Sequence, residues 1–550
     1  MTPRFAFTAL LILAAVLRLL AIGAQELWLD EALSWRKTTT PGFLATLRAD
    51  NTPPLYYVLL RQWIALAGDG RAGLRLLSAL EGTLYVAAVM SWARIMFTRR
   101  VALWTGLWAA VAPMAIYYSQ ETRAYAQLSL LLALTYACLC KALTKDRAAW
   151  WFGAVMAATA ALYTHYLAPL ALLCSVALVA AAPPPARWRQ TGAVAAAATL
   201  LFTPWVLAAV SARPAVSGLD WIAGIWEQTS ALAILRSLQV LTLGGDAASL
   251  PVRFKQLSAI DVPPLLELAG IAGLFILTVV VVRPSDDASV GANATRWKWA
   301  VVLLGCGPLL LLWGLSWLQP LFLVGRYDQI AMPACAVFLG LGCAKVQARR
   351  GTALALSLAT FLLAPIGWKL WFYYGARPDD RAQRTAALLD ERTRNGDVVV
   401  FTELRALPVI YELTRRGYVF DDKRCTDTAR GRQFSCRSYP RESEELIGTM
   451  IAKDPARDAA AIAADAEDFA DDRAGANNSV WIALGDYRVG RGKLAAKPWS
   501  AALLRRFEAI GLAPSAADST AGILEYRSSG FTSRGSDPAS GQSSPPKPMD

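Results

Sequence analysis

Leu76–Phe97 reads LLSALEGTLYVAAVMSWARIMF, Thr98-Arg99-Arg100 follows, and Val101–Tyr117 reads VALWTGLWAAVAPMAIY. Two such apolar runs around a short basic hinge have the pattern of a helical hairpin crossing a bilayer, because a spanning helix takes about 20 mostly apolar residues. Working outward, nine more runs share this character: 5–23, 124–142, 149–164, 167–182, 191–210, 262–282, 299–317, 328–345 and 353–373. The 550-residue chain is 55% hydrophobic and only 18% charged. Soluble chains carry about a quarter charged residues. These figures exclude a plain soluble enzyme, a disordered chain and a fibrous one. The fold class they predict is an α-helical polytopic membrane protein with about 11 transmembrane helices.

Charge sets the orientation. The net charge is +13, but no basic stripe interleaved with aromatics points to nucleic acid. The cations fall instead in alternate short loops: Arg99-Arg100, Lys141/Lys145/Arg147, Arg187/Arg189, Arg283/Arg296/Lys298 and Lys345/Arg349/Arg350. Short basic loops face the cytoplasm. The other connections, 24–75, 118–123, 165–166, 211–261, 318–327 and all after 374, then face the opposite side. The first run follows Arg4 like a signal peptide. No small-residue cleavage site succeeds it, so it reads as an anchor with a cytoplasmic N-terminus.

The last third changes character. Gly396–Phe401 (GDVVVF), Ser479–Leu484 and Gly522–Tyr526 read as strands and Leu404–Arg416 as a helix. The predicted division is therefore a transmembrane domain over 1–375, a small C-terminal α/β extracytoplasmic domain over 376–528, and a Ser/Pro/Gly-rich disordered tail over 529–550. Ala459–Ala466 reads as a helix. Six of the eight cysteines lie in apolar runs, whereas Cys425 and Cys436 sit eleven apart in a polar segment. Outside the cytoplasm such a pair is a candidate disulfide.

Five polar clusters fall at the outer edges of the predicted spans. Asp30-Glu31 follows the first span; adjacent carboxylates there either cap the next helix or hold a base against an apolar wall. Asn51–Tyr57 (NTPPLYY) brings Tyr56 and Tyr57, as interfacial belt residues or as substrate contacts. Tyr117–Tyr125 (YYSQETRAY) brings Glu121 and Arg123, as an interfacial ion pair or as an anion-binding arginine with a partner carboxylate. Tyr163–Tyr166 (YTHY) brings His165, the chain's one histidine, in a structural or a hydrogen-bonding role. Pro320–Tyr327 (PLFLVGRY) brings Arg326 and Tyr327; the guanidinium is either a snorkelling anchor or a bidentate oxyanion contact. All five fall on one face, opposite the basic loops. Carboxylates, aromatics and arginines gathered there fit chemistry on a lipid-linked phosphate. A transporter or lipid flippase is the alternative. It would show inverted repeats and ionisable residues near mid-membrane, and neither is evident.

Over about residues 1–375 the chain resembles the lipid-linked glycosyltransferases of the GT-C fold, specifically the bacterial relatives of the protein O-mannosyltransferases and the aminoarabinose transferase. The resemblance rests on Asp30-Glu31, NTPPLYYVLLRQW (51–63), RLLSALEG (75–82), YYSQETRAYA (117–126), YTHY (163–166) and FLVGRYDQIAMP (322–333). Many relatives carry a charged residue or a histidine before the PPLYY segment, where this chain has Asn51-Thr52. The resemblance implies an inner-membrane enzyme with a polyprenyl-phosphate-linked sugar donor and a glycan, lipid or protein acceptor in the periplasm. It also implies that Asp30 is the catalytic carboxylate and Glu31 its support. Arg123, Arg326 and Tyr327 are then candidates for the donor phosphate, and Tyr56, Tyr57, Glu121 and His165 for substrate contacts. Asp30, Glu31, Glu121 and His165 are residue types that a divalent metal uses, but no spacing among them specifies a site, so no cofactor is assigned.

Overall fold

The computed structural model describes residues 3–49, 53–183, 187–211, 220–244, 262–283, 290, 293–375, 380–402, 406–421, 424–439, 470, 478–483, 487–489, 493–495, 505, 514–518 and 523–527. The chain divides into two compact units, Met1–Asp380 and Arg381–Asp550. The first is helical. It runs α1 (Pro3–Leu19), α2 (Leu29–Thr39), α3 (Phe43–Ala49), α4 (Leu55–Ala67), α5 (Arg71–Met96), α6 (Arg99–Val111), α7 (Pro113–Ser119), α8 (Tyr125–Lys145) and α9 (Ala148–Leu162). It continues through α10 (Ala168–Cys174), α11 (Val176–Ala181), α12 (Trp188–Ser211), α13 (Asp220–Thr229), α14 (Ala233–Leu243), α15 (Pro264–Val282), α16 (Ala294–Ser316), α17 (Met332–Arg350) and α18 (Thr352–Gly375). All eleven apolar runs are helical. Among the described residues, however, only 7 helices are long and apolar enough to cross a membrane, or 8 if the bent pair α6–α7 is one span. The others are short: α1 has 17 residues, α9 has 15, and the run 167–182 is broken into α10 and α11. The first outer connection is itself helical, as α2, α3 and α4.

The second unit holds α19 (Arg381–Arg392), β1 (Val398–Thr402), α20 (Ala406–Thr414), β2 (Tyr418–Asp421), β3 (Arg424–Asp427), β4 (Gln433–Tyr439), β5 (Ser479–Ala483), β6 (Tyr487–Val489), β7 (Lys493–Ala495), β8 (Pro514–Asp518) and β9 (Ile523–Arg527). Seven strands form one sheet, in the order β2-β3-β4-β1-β5-β9-β8. The predicted strands are β1, β5 and β9, and the predicted helix is the shorter α20. The sequence reading missed β2, β3, β4, β6, β7 and β8; β2 (YVFD) is apolar but only four residues long, and the others are short or carry mostly polar and small residues. The central β1 runs parallel to β4 and β5. Asp397 seals its entry, accepting the Ser479 amide at 2.9 Å and the Trp481 indole N–H at 3.0 Å. Cys425 and Cys436, on neighbouring β3 and β4, are both buried thiols with Sγ atoms 3.5 Å apart. Ala459–Ala466 and 529–550 lie outside the described residues.

Two local devices shape the helical unit. Pro113 has no N–H for the Ala109 carbonyl, and α6 and α7 meet there at a 58° bend. Arg18 of α1, fully buried, takes up the freed acceptors: Nη2 donates to Ala109 O at 3.0 Å and Nη1 to Ala110 O at 3.1 Å. Its Nε donates to Ser119 Oγ at 3.1 Å. The second device is close helix contact over glycine, the usual way to bring helices together where lipid gives no hydrophobic drive. A Cβ on Gly340 of α17 would lie 2.6 Å from the Thr105 backbone nitrogen of α6. Backbone cannot swing aside, so Gly340→Ala is expected to cost about 1–3 kcal/mol, read as a lowered thermal midpoint in detergent, while Gly314→Ala, with nothing within 4 Å, leaves it unchanged.

Candidate active site

Asp30 and Glu31 lie in the first turn of α2, about 100° apart around its axis, and the structure gives them separate partners. Glu31 turns inward and is fully buried. Its carboxylate accepts Nε and Nη2 of Arg75, both at 2.7 Å, and the Thr122 amide at 3.0 Å. Its Oε2 also reaches back to the Trp28 amide at 3.4 Å, closing a box at the helix start. Arg75 in turn donates to the carbonyls of Ile22, Gln25 and Glu26, each at 2.9 Å.

Asp30 faces the other way. Its Oδ2 is bonded by Nη2 of Arg326 and lies 3.7 Å from Nη2 of Arg123. Arg123 sits in the turn between α7 and α8, fixed by the Thr122 bond to Glu31. Its Nη1 approaches the Tyr57 hydroxyl at 3.4 Å and Ser34 Oγ at 3.5 Å. Arg326 ends the connection after α16 and donates through Nε to the Tyr125 hydroxyl at 2.8 Å. Aromatic rings complete the wall: His165 lies 5.5 Å from Tyr125 and 6.0 Å from Tyr327, centroid to centroid. The Arg326 guanidinium lies 5.9 Å from the centre of the Tyr327 ring.

Electrostatics follow from this geometry. Burial pushes the Asp30 carboxyl up, but Arg326, Arg123 and Lys37 together outweigh it and hold the group below the usual carboxylate range. Burial, with the same two arginines adding, pushes the His165 imidazole down to about 3. His165 is therefore neutral at physiological pH, a hydrogen-bonding ring rather than a cation. Its Nδ1 accepts the Leu167 amide at 3.1 Å.

The structure thus gathers Asp30, Arg123, Arg326, Tyr57, Tyr327 and His165 at one place. It leaves three other candidates apart from that cluster. Glu31 is engaged with Arg75. Tyr56 is fully buried with its hydroxyl 3.2 Å from Ser78 Oγ. Glu121 is buried, with its charge felt by Arg75. Asn51 and Thr52 lie outside the described residues. Among the described residues, no three or more His, Cys, Asp and Glu side chains come together as a metal site. Sequence reasoning missed Arg75 and Tyr125 as individuals, although both stand inside quoted motifs. The readable signal for Arg75 was an arginine near the start of a long apolar helix. Glu31→Gln would leave the Arg75 charge buried and uncompensated, at an expected cost of about 3–5 kcal/mol. The check is a thermal unfolding midpoint well below that of the wild-type chain.

Residues 51–210 match the family model described as dolichyl-phosphate-mannose-protein mannosyltransferase. A search of curated protein sequences finds no match. Among solved structures, ArnT from Cupriavidus metallidurans in the apo state is similar at a TM-score of 0.57 and 12% identity, over 96% of this chain and 98% of that one. The same ArnT bound to undecaprenyl phosphate aligns at 0.48 and 13% identity, over 97% and 99%. The Archaeoglobus fulgidus oligosaccharyltransferase in complex with Zn and sulfate aligns at 0.47 and 14% identity, over 74% and 61%. The chain is a multi-span membrane protein with the GT-C fold of ArnT over nearly its whole length, and its segment 51–210 matches the mannosyltransferase family.

Proposed function

We propose that the protein is a membrane glycosyltransferase that moves a sugar from a polyprenyl-phosphate donor to an extracytoplasmic glycan, lipid or protein acceptor. The observation that carries this reading is the Asp30 carboxylate set between two arginines, Arg326 and Arg123, and walled by tyrosines. In the proposed step the acceptor oxygen attacks the anomeric carbon and Asp30 takes its proton. The bond from that carbon to the phosphate oxygen breaks, and polyprenyl phosphate leaves as an anion. Arg326 and Arg123 stabilise its charge as preorganised donors. A single displacement of this kind inverts the anomeric carbon. Tyr327, Tyr57 and His165 line the seat, and Glu31 fixes the turn that presents Asp30. The ArnT whose fold this chain shares has been solved with undecaprenyl phosphate, which supports a lipid phosphate as the donor's leaving group.

In this reading Asp30 is a stand-in anion. The donor phosphate competes for the same guanidiniums and leaves the carboxylate free to act as base. Asp30→Asn is then expected to lower turnover by about 10²–10⁴-fold while binding undecaprenyl phosphate as tightly as wild type or tighter. Normal turnover, measured as the sugar mass added to envelope glycans in a deletion strain complemented with the variant, would sink the assignment.

A pH test follows with its sign. Asp30 has a depressed folded pKa, so its ion pairs stabilise the fold above the ordinary carboxylate range and are lost only as pH falls through the lowered value. The stability gap between wild type and Asp30→Asn should hold constant from pH 8 to about 4 and close below that. The proposed placement is the inner membrane, with the N-terminus cytoplasmic and the second unit periplasmic. There Cys425 and Cys436 would meet thiol oxidants and bond. Alkylation of the unfolded, unreduced protein should then leave two of its eight cysteines unlabelled, and labelling of all eight would refute the disulfide.

A further inference from the structure

Arg326 is placed by the main chain in front of it. Gly325 adopts the left-handed conformation, with φ at 77°, and both of its polar backbone groups are held by side chains. Asp328 Oδ2 accepts the Gly325 amide at 2.8 Å, and the Tyr118 hydroxyl donates to the Gly325 carbonyl at 2.6 Å. Asp328 is fully buried and Tyr118 nearly so. The next two amides, of Arg326 and Tyr327, both converge on Leu323 O, at 3.1 and 3.0 Å. The peptide that launches the Arg326 side chain is therefore gripped from two helical elements, the Tyr327–Ala331 turn and α7. Tyr118 has a second route to the same guanidinium. Its ring packs 4.4 Å from that of Tyr125, whose hydroxyl accepts Arg326 Nε.

We infer that Asp328 and Tyr118 are positioning residues that aim Arg326 at Asp30 and at the donor phosphate. The inference rests on the reading of Arg326 as a phosphate contact. Neither residue bonds Arg326's guanidinium directly; both act through Gly325, and Tyr118 also through Tyr125. A backbone amide facing a buried acceptor fixes the direction of the following Cα–Cβ bond, and a side chain as long as arginine magnifies any error at its root into a misplaced fork.

The test uses the full-length protein in detergent, titrated with undecaprenyl phosphate. Asp328→Leu, Asp328→Asn and Tyr118→Phe are compared alone and in an Arg326→Ala background. Asp328→Leu and Tyr118→Phe should each weaken binding about tenfold, the size of one lost buried hydrogen bond. Asp328→Asn keeps a carbonyl oxygen for the Gly325 amide and should bind nearly as wild type. In the Arg326→Ala background these differences should vanish, because residues acting through one group are non-additive. Losses that persist in that background would make the pair merely structural and overturn the inference. Wild-type affinity in a folded Asp328→Leu would do the same. Should that variant fail to fold, Tyr118→Phe, which removes one hydroxyl, decides the matter. No binding by the wild-type chain would overturn the donor reading itself, and the clamp's purpose with it.

Discussion

All five N–H groups of Arg75 are used inside the protein, two on Glu31 and three on main-chain carbonyls beyond the end of α1. Five donors in a rigid fork are the whole capacity of a guanidinium, and an ammonium could not replace them. The need is local. After α1 ends at Leu19 the chain runs without helix to α2, so the carbonyls of Ile22, Gln25 and Glu26 have no helical amide to accept. Arg75 and Glu31 are buried from solvent, so the protein must supply the partners. Because Glu31 also takes the Thr122 amide, one ion pair joins the exit of α1, the start of α2 and the turn carrying Arg123. Asp30 and Arg123 can then meet at a set distance although 93 residues separate them. Gln120 extends the same solution, donating to Arg18 O at 3.1 Å and Leu20 O at 2.8 Å.

Much of this was legible in the sequence, and the limits have physical causes. Apolar runs reveal helices because a bilayer imposes both length and composition. Hydropathy does not register where a helix breaks, so Ser175, between α10 and α11, passed unnoticed inside one run. The first outer connection reads as a loop because α2, with the sequence LDEALSWRKTT, has no sustained apolar stripe. Its helicity is supported by the Glu31 box at its start, by Asp30 and Glu31 in its first turn and by Arg36 and Lys37 in its last. Charged residues at span ends stand out, which made Asp30, Arg123 and Arg326 visible as candidates. Their pairing was not visible. The division of labour between Asp30 and Glu31 is decided by Arg75, 44 residues away, and nothing in a two-residue motif says which carboxylate it takes. The strands β2 and β3 escaped for a simpler reason: each has four residues, YVFD and RCTD, and even the buried Cys425 and Asp427 of the second make a pattern too short to distinguish from a turn.

The bend at Pro113 has a further consequence, in how this sequence can change over generations. The groups that Arg18 satisfies there are the carbonyls of Ala109 and Ala110, main chain that every residue type carries. The identity of positions 109 and 110 is therefore limited by space alone. Positions 18 and 113 are not free in that way. A chain that replaced the proline would regain the amide that closes the Ala109 carbonyl, and Arg18 Nη2 would have to share that acceptor, while its bonds to Ala14 O, Ala110 O and Ser119 Oγ need not change. A chain that lost the arginine would keep the bend with its acceptors bare. Loss of the arginine is therefore the costlier of the two changes, because it leaves buried carbonyls without a donor.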